Sequence, residues 1–246
     1  MKILIVGENV ENSGVFNEIA PLKPDICDKA QCLHPQGFYD IAFICVDTTM
    51  TEDNPCDVSE VWNAIEENHA SIYVIKSTVK VGTTDEIRQK TGKRAVFSPE
   101  YYGNTPHSTR YDFSFTILGG EPEDCQEVIQ CLQHIYDGRH VFRVTDAKTA
   151  ELVKYMENSW IATKVSFCNE FYDIAETHGV RYEELRELFT LDPRVNPSHT
   201  FVFEQHPYWQ SKCLDKDVST IAQDSPFMWF VKEYNESKKL IPRHVD

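Results

Sequence analysis

Cys213 lies in the run Lys212-Cys213-Leu214-Asp215-Lys216-Asp217, about sixty residues downstream of Lys154 and Asn158. A thiol can hold an aldehyde as a thiohemiacetal and then carry the acid as a thioester. The segment therefore suits an oxidation running from an alcohol through an aldehyde to a carboxylate. Lys154 and Asn158 stand at i and i+4, on one face of any helix that contains them, and two such side chains can reach a single substrate oxygen. Taken singly, each residue has a plainer reading: a solvated lysine, a tolerated asparagine, a cysteine kept for packing. The flanking charges leave the thiol's ionisation open, because Lys212 and Lys216 favour the thiolate while Asp215 and Asp217 oppose it.

Two kinds of element have to position these groups. In the first half, short β-branched runs at 2–6, 41–46, 72–76, 94–97, 114–118 and 140–144 alternate with helical spacing at 57–68, 84–91 and 122–136. That alternation predicts βαβ units, and continuous apolar runs such as Ile41-Ala42-Phe43-Ile44-Cys45-Val46 suit parallel strands covered on both faces. After Val144 one helical pattern runs from an N-cap at Thr145 or Asp146 to a stop near His178-Gly179, long enough to act as a spine and a dimer interface. A helix at 182–189, a Pro-rich irregular stretch at 192–210, the cysteine segment and a helix near 226–239 follow. The expected fold is α/β: a Rossmann-like, doubly wound, mainly parallel sheet over 1–144, then a helical domain over 145–246 built on one long central helix.

Composition narrows the function classes. The chain has 246 residues, about one and a half domains by the usual prior. Its 24 basic and 39 acidic residues give −15, which argues against nucleic acid or an anionic membrane as partner. No run approaches a membrane span, and the N-terminus lacks the features of a signal peptide, so a soluble, cytoplasmic protein is expected. Cys27, Cys32, Cys45, Cys56, Cys125, Cys131, Cys168 and Cys213 include no CxxC pair, so they read as reduced thiols, with neither a zinc site nor a disulfide framework.

The text from Thr145 to Asn158, continuing through Ala162–Glu170, resembles the central helix of the UDP-glucose/GDP-mannose dehydrogenase family. Other segments fall into register with it. Phe43–Met50 resembles the family's "ICVPTP" strand and turn at the nicotinamide cofactor, and Ile75–Thr84 its "KSTVPPGTT" segment, with Thr78 beside the reacting carbon. Phe97–Tyr102 resembles "SPEFL" with its glutamate at Glu100, and Cys213–Asp217 resembles "CFPKD". Asp192-Pro193-Arg194-Val195 is similar to "D-x-R-I", whose arginine reaches the sugar acid, in some members across a dimer. These matches cover roughly residues 41–240 in sequence order.

The resemblance implies NAD-dependent, two-step oxidation of a nucleotide sugar's CH2OH to a carboxylate, by a homodimer joined through the 146–178 helix. It implies catalytic roles for Cys213, Lys154, Asn158, Asp217, Glu100 and Thr78. Lys154, Asn158 and Asp217 would stabilise developing oxyanion charge. Glu100, with Thr78, would position the hydrolytic water and take its proton. It further implies cofactor contacts from Gly7, Val46, Thr48, Ser77, Thr78 and Lys216, and substrate contacts from Glu100, Tyr101, Lys154, Asn158 and Arg194. No metal is implied.

The sequence also departs from the family. Where a dinucleotide loop reads G-x-G-x-x-G, this chain has Gly7-Glu8-Asn9-Val10-Glu11-Asn12, which keeps the first glycine and brings two acids toward a diphosphate. About 34 residues separate Val6 from Ile41, fewer than the family's first half, and Asp28 is a candidate ribose-binding acid. The family's "GFGGSC" is replaced by His206–Cys213, and Asn104 stands where many relatives carry an acid. The family's third lobe, for the UDP moiety, has no counterpart after the 227–240 helix. Three readings follow: a minimal dehydrogenase, a non-catalytic sugar- or nucleotide-binding relative, and a dimerising partner of a full-length enzyme. Joint retention of the chemical side chains favours the first.

Overall fold

The computed structural model describes residues 1–8, 13–51, 53–101 and 113–240. Asn9, Val10, Glu11 and Asn12 of the loop after the first strand, together with Tyr102 and Asn104, lie outside the described residues. Those up to Lys154 form one compact unit and those from Tyr155 a second, so the division falls ten residues beyond the expected 144/145.

The first unit is a seven-stranded sheet of β1 (Ile3–Val6), β2 (Asp25–Cys27), β3 (Phe38–Ile44), β4 (His69–Ile75), β5 (Arg94–Phe97), β6 (Phe115–Gly119) and β7 (Val141–Thr145), in the order β2-β1-β3-β4-β5-β6-β7. Every neighbouring pair is parallel except β5 and β6, which meet antiparallel at Phe97 and Gly119. Side chains alternate between two buried faces. Ile41 and Phe43 of β3 pack with Val15 and Ile19 of α1 (Gly14–Ile19) and Val128 of α4 (Pro122–Leu132). Ala42 and Ile44 pack with Val61 and Ile65 of α2 (Ser59–Glu67) and Ile87 of α3 (Thr83–Thr91). This two-sided covering explains the unbroken apolar strands. The chain passes from β1 to β2 on one side and returns to lay β3 on the other. The topological switch point, where ligands of such sheets bind outside the strands' carboxyl ends, thus lies between β1 and β3.

The spine is α5 (Ala147–Thr177), 31 residues. Asp146 caps it, accepting from the Thr149 amide at 2.9 Å. Gly179 ends it at φ +67, and the Val180 amide returns to the Ala175 carbonyl at 2.8 Å, an αL stop of the kind glycine allows. The first turns of α5 belong to the sheet unit because they approach β6 at Gly119. A Cβ there would lie 2.8 Å from the Asp146 carbonyl and 2.9 Å from Ala147 Cα.

The second unit holds the rest of α5 with α6 (Tyr182–Phe189), α7 (Lys212–Ile221) and α8 (Pro226–Leu240). Ala162, Val165, Trp209, Val218, Met228 and Val231 form its core. Trp209 enters from the irregular stretch and is fixed by three bonds. Its amide donates to Asn235 Oδ1 at 2.9 Å, its indole to Ser166 Oγ at 3.1 Å, and its carbonyl accepts from Asn235 Nδ2 at 3.0 Å. Three elements have no counterpart among the expected ones: α1, β2 and α7. The first two are too short for periodicity to show. The third carries charges at Lys212, Asp215, Lys216 and Asp217 that mask its apolar spacing at Leu214, Val218 and Ile221.

Candidate functional site

In the sheet unit, the carboxyl ends of β3 and β4 are knitted together at the switch point. Ser77 Oγ donates to the Val46 carbonyl at 2.6 Å, and buried Thr48 donates through Oγ1 to the Thr78 carbonyl at 2.8 Å. Four of the six expected cofactor residues, Val46, Thr48, Ser77 and Thr78, therefore occur together. Downstream, the same segment is fastened to α5. Fully buried Glu151 accepts from the Gly82 amide at 2.5 Å, from the Thr84 amide at 2.9 Å and from Thr84 Oγ1 at 2.7 Å, covering the N-terminus of α3. Gly82 itself sits at φ +97, open to glycine at little cost. Burial pushes the Glu151 carboxyl above the ordinary glutamate range, and its three donors pull it part of the way back.

One turn further along α5, Lys154 is 6% exposed and its ammonium lies 5.0 Å over the Tyr101 ring. Half-buried Glu100 precedes Tyr101 at the carboxyl side of β5. Beside them is a cavity of about 20 Å³, lined in part by Glu18, Lys76, Glu100, Tyr101, Thr116 and Tyr136, about the size of one water. Lys76 and Glu18 form an ion pair at 3.7 Å with side chains 5% and 7% exposed, Lys76 reaches Ser98 Oγ at 3.4 Å, and the Tyr136 hydroxyl donates to Glu18. Burial drives the neighbouring Cys45 thiol up to about 12; Lys76 pulls it down, and Glu100 and Glu18 reinforce the rise.

In the second unit, Asn158 Nδ2 donates to Asp217 Oδ2 at 2.5 Å, and Lys216 Nζ approaches Asp217 Oδ1 at 3.0 Å. All three side chains are buried, Asp217 to 1% exposure. Cys213 is exposed on the first turn of α7, whose N-cap Ser211 accepts from the Leu214 amide at 3.0 Å. Arg194 is exposed and its guanidinium is committed to Asp192, 2.6 Å away. Among the described residues no group of three or more His, Cys, Asp or Glu is placed to hold a metal, and no helix is long and apolar enough to cross a membrane.

These residues fit the two halves of a dinucleotide unequally. The β3 and β4 ends form a fixed cradle beside the switch point. On the other side, buried Gly7 gives its amide to the Cys27 carbonyl at 3.0 Å. Asp28 directly follows β2, the position expected of a ribose-binding acid, but it is fully buried. Its carboxylate accepts from the Ala30 amide at 2.9 Å and from the Gln31 amide and side chain, each at 3.3 Å.

Glu18, Lys76 and Glu151 are site residues that sequence reasoning missed. A lysine closing an apolar strand run was the available sign of Lys76. Glu151 gave none, since its partners lie 67 and 69 positions away.

A mainly parallel sheet with this switch point, followed by a domain built on a long helix, defines a Rossmann-type architecture. The family model for the NAD binding domain of the UDP-glucose/GDP-mannose dehydrogenase family matches residues 34–155, and that for its central domain matches 148–237. The chain belongs to the UDP-glucose/GDP-mannose dehydrogenase family. UDP-N-acetyl-D-mannosamine dehydrogenase of Methanocaldococcus jannaschii is 30% identical over a match covering 82% of this chain and 46% of that protein. UDP-glucose 6-dehydrogenase of Rickettsia felis is 30% identical over 72% of this chain and 41% of its own length. The chain thus spans less than half the length of these relatives. A solved UDP-D-ManNAc dehydrogenase from Pyrococcus horikoshii shares the fold, with TM-score 0.72 at 20% identity over 97% of this chain and 69% of that one.

Proposed function

We propose that the chain performs nucleotide-sugar 6-dehydrogenase chemistry, oxidising a sugar CH2OH to a carboxylate through Cys213. The observation that carries the reading is the exposed thiol on the first turn of α7, followed on the same helix by the buried Lys216–Asp217 pair, with Asp217 bonded to Asn158. The thiolate would add to the aldehyde carbon; loss of hydride from the resulting thiohemiacetal leaves a thioester. Water, deprotonated by Glu100 beside Thr78, then attacks the thioester carbonyl and frees the acid and the thiol. Lys154, Asn158 and Asp217 would hold the substrate oxygen or an ordered water while charge develops on oxygen.

A nicotinamide cofactor, when bound, supplies the hydride acceptor for both oxidations. Val46, Thr48, Ser77 and Thr78 are the residues of this chain that would hold its nicotinamide half, with Lys216 as a further contact. Gly7 is not proposed as a phosphate ligand, since its amide already serves the sheet. Tyr101 would border the sugar beside Lys154, and Arg194 would reach a sugar oxygen after exchanging its bond to Asp192.

The functional assembly proposed is a homodimer through α5. Leu152, Met156, Trp160, Phe167, Phe171 and Ile174 recur at helical spacing along one stripe and are exposed, Met156 to 75% and Trp160 to 62%, more contiguous apolar surface than a single helix ordinarily leaves in water.

The test is turnover of UDP-glucose, UDP-N-acetylmannosamine and GDP-mannose with NAD. Two NADH per acid are expected, and Cys213→Ser should abolish acid formation. A Cys213→Ser protein that still makes acid removes the thiol from the reaction.

A further inference from the structure

We infer that the sheet unit takes a nicotinamide nucleotide by its nicotinamide half alone, and that the adenosine diphosphate half of a dinucleotide finds no site among the described residues. The inference rests on the cofactor reading proposed above and sharpens it from dinucleotide to mononucleotide recognition.

A doubly wound dinucleotide sheet is two mononucleotide-binding halves meeting at the switch point, the first for adenosine diphosphate and the second for nicotinamide ribose phosphate. The second half is present as β3, β4 and β5, with the Ser77–Val46 and Thr48–Thr78 bonds fixing their carboxyl ends. The first half among the described residues is β1, a six-residue α1 and a three-residue β2.

The described candidates for holding a diphosphate or a ribose there already have partners inside the protein. The Gly7 amide serves the Cys27 carbonyl, and the first turn of α1 is closed by Ser13 Oγ, which accepts from the Phe16 amide at 3.0 Å. Asp28 spends both carboxylate oxygens on the turn that follows it. Glu18, the carboxylate of α1, is paired with Lys76 beyond the end of β4, 3.7 Å away. Glu8 and Glu11 add negative charge to the same segment. The family's NAD-binding model is matched over residues 34–155, which include β3, β4 and β5.

The experiment compares NADH, reduced nicotinamide mononucleotide and ADP-ribose on the wild-type chain, by calorimetry with saturation-transfer NMR for weak binding. The expected result is NADH and the mononucleotide within ~3-fold of one another in dissociation constant, with ADP-ribose silent to ~5 mM. ADP-ribose binding, or NADH tighter than the mononucleotide by more than ~10-fold, about 1.4 kcal/mol, overturns the inference while leaving the dehydrogenase reading intact. Silence from both nicotinamide compounds overturns the cofactor reading and this inference with it.

Discussion

Replacing Glu151 by alanine tests whether the segment carrying Thr78 is held in place by α5. The carboxylate is fully buried and receives three hydrogen bonds, from the Gly82 amide, the Thr84 amide and the Thr84 hydroxyl. Bonds to a charged group contribute about 1.5 kcal/mol each, and alanine would leave two buried donors of Thr84 and the part-buried Gly82 amide without this partner. Three such bonds sum to about 4–5 kcal/mol; relief of the buried charge's desolvation offsets part of this, so a net loss of about 3 kcal/mol is expected. For a chain of this size that corresponds to a melting temperature lower by about 6–12 °C. Hydrogen exchange gives the local readout, because protection at the Gly82 and Thr84 amides should fall while amides in β1 and β3 change only with the global stability. A loss below about 1 kcal/mol, with both amides still protected, would refute the fastening.

Glu151→Gln adds a pH arm. Because burial raises the Glu151 carboxyl, the folded state binds more protons than the unfolded state between the ordinary glutamate range and the raised value. Stability from this group is therefore complete below the ordinary range and is lost as pH rises through the raised value. Urea midpoints from about pH 4 to about pH 7 should show wild type falling relative to Glu151→Gln. A constant difference means the carboxyl's ionisation is not coupled to folding.

Iodoacetamide followed by mass spectrometry should label Cys32 and Cys213, the exposed thiols. Cys125 and Cys131, pushed up to about 11, and Cys45, up to about 12, should stay unlabelled in the folded protein; early label at Cys125 would contradict the packing of α4. Gly119→Ala drives a methyl into the first turn of α5 and should cost about 1–3 kcal/mol. It should appear as a lower urea midpoint at unchanged slope, and an unchanged midpoint would mean that α5 approaches β6 less closely. Sedimentation should find a dimer that Met156→Asp with Trp160→Asp converts to monomer; a wild-type monomer at micromolar concentration removes the α5 interface.

The parts of the fold legible in the sequence are those whose burial leaves a long periodic trace. β3 and β4 are apolar without alternation because helices cover both faces, and α5 announces itself by its length, its Asp146 cap and its Gly179 stop. β2 was hidden because three residues following Pro24 carry no period. α7 was legible in principle from the Ser211 cap and from Leu214, Val218 and Ile221, but its acid and base residues read as a charged segment. The helix places Cys213 on the first turn of α7 rather than in an irregular charged segment.

The hardest part to read was the segment between β1 and β3, and the reason is physical. A binding loop and a packing loop use the same donors and acceptors, and only the partner distinguishes them. Gly7 and Asp28 are the sequence's candidates for a dinucleotide's phosphate and ribose contacts, yet their polar atoms meet Cys27, Ala30 and Gln31. The same holds for Lys76, whose ammonium is answered by Glu18 rather than left for an anion. A sheet edge that satisfies its own polar groups gains little from exchanging them for a ligand's, because each new bond replaces one already made. By contrast, the thiol of Cys213 stays exposed on α7. The proposed cofactor capture and the proposed thiol chemistry therefore rest on different residues of this chain, and a mononucleotide that binds without help from β1 and β2 would show that the first is narrowed, whereas only the Cys213→Ser assay tests the second.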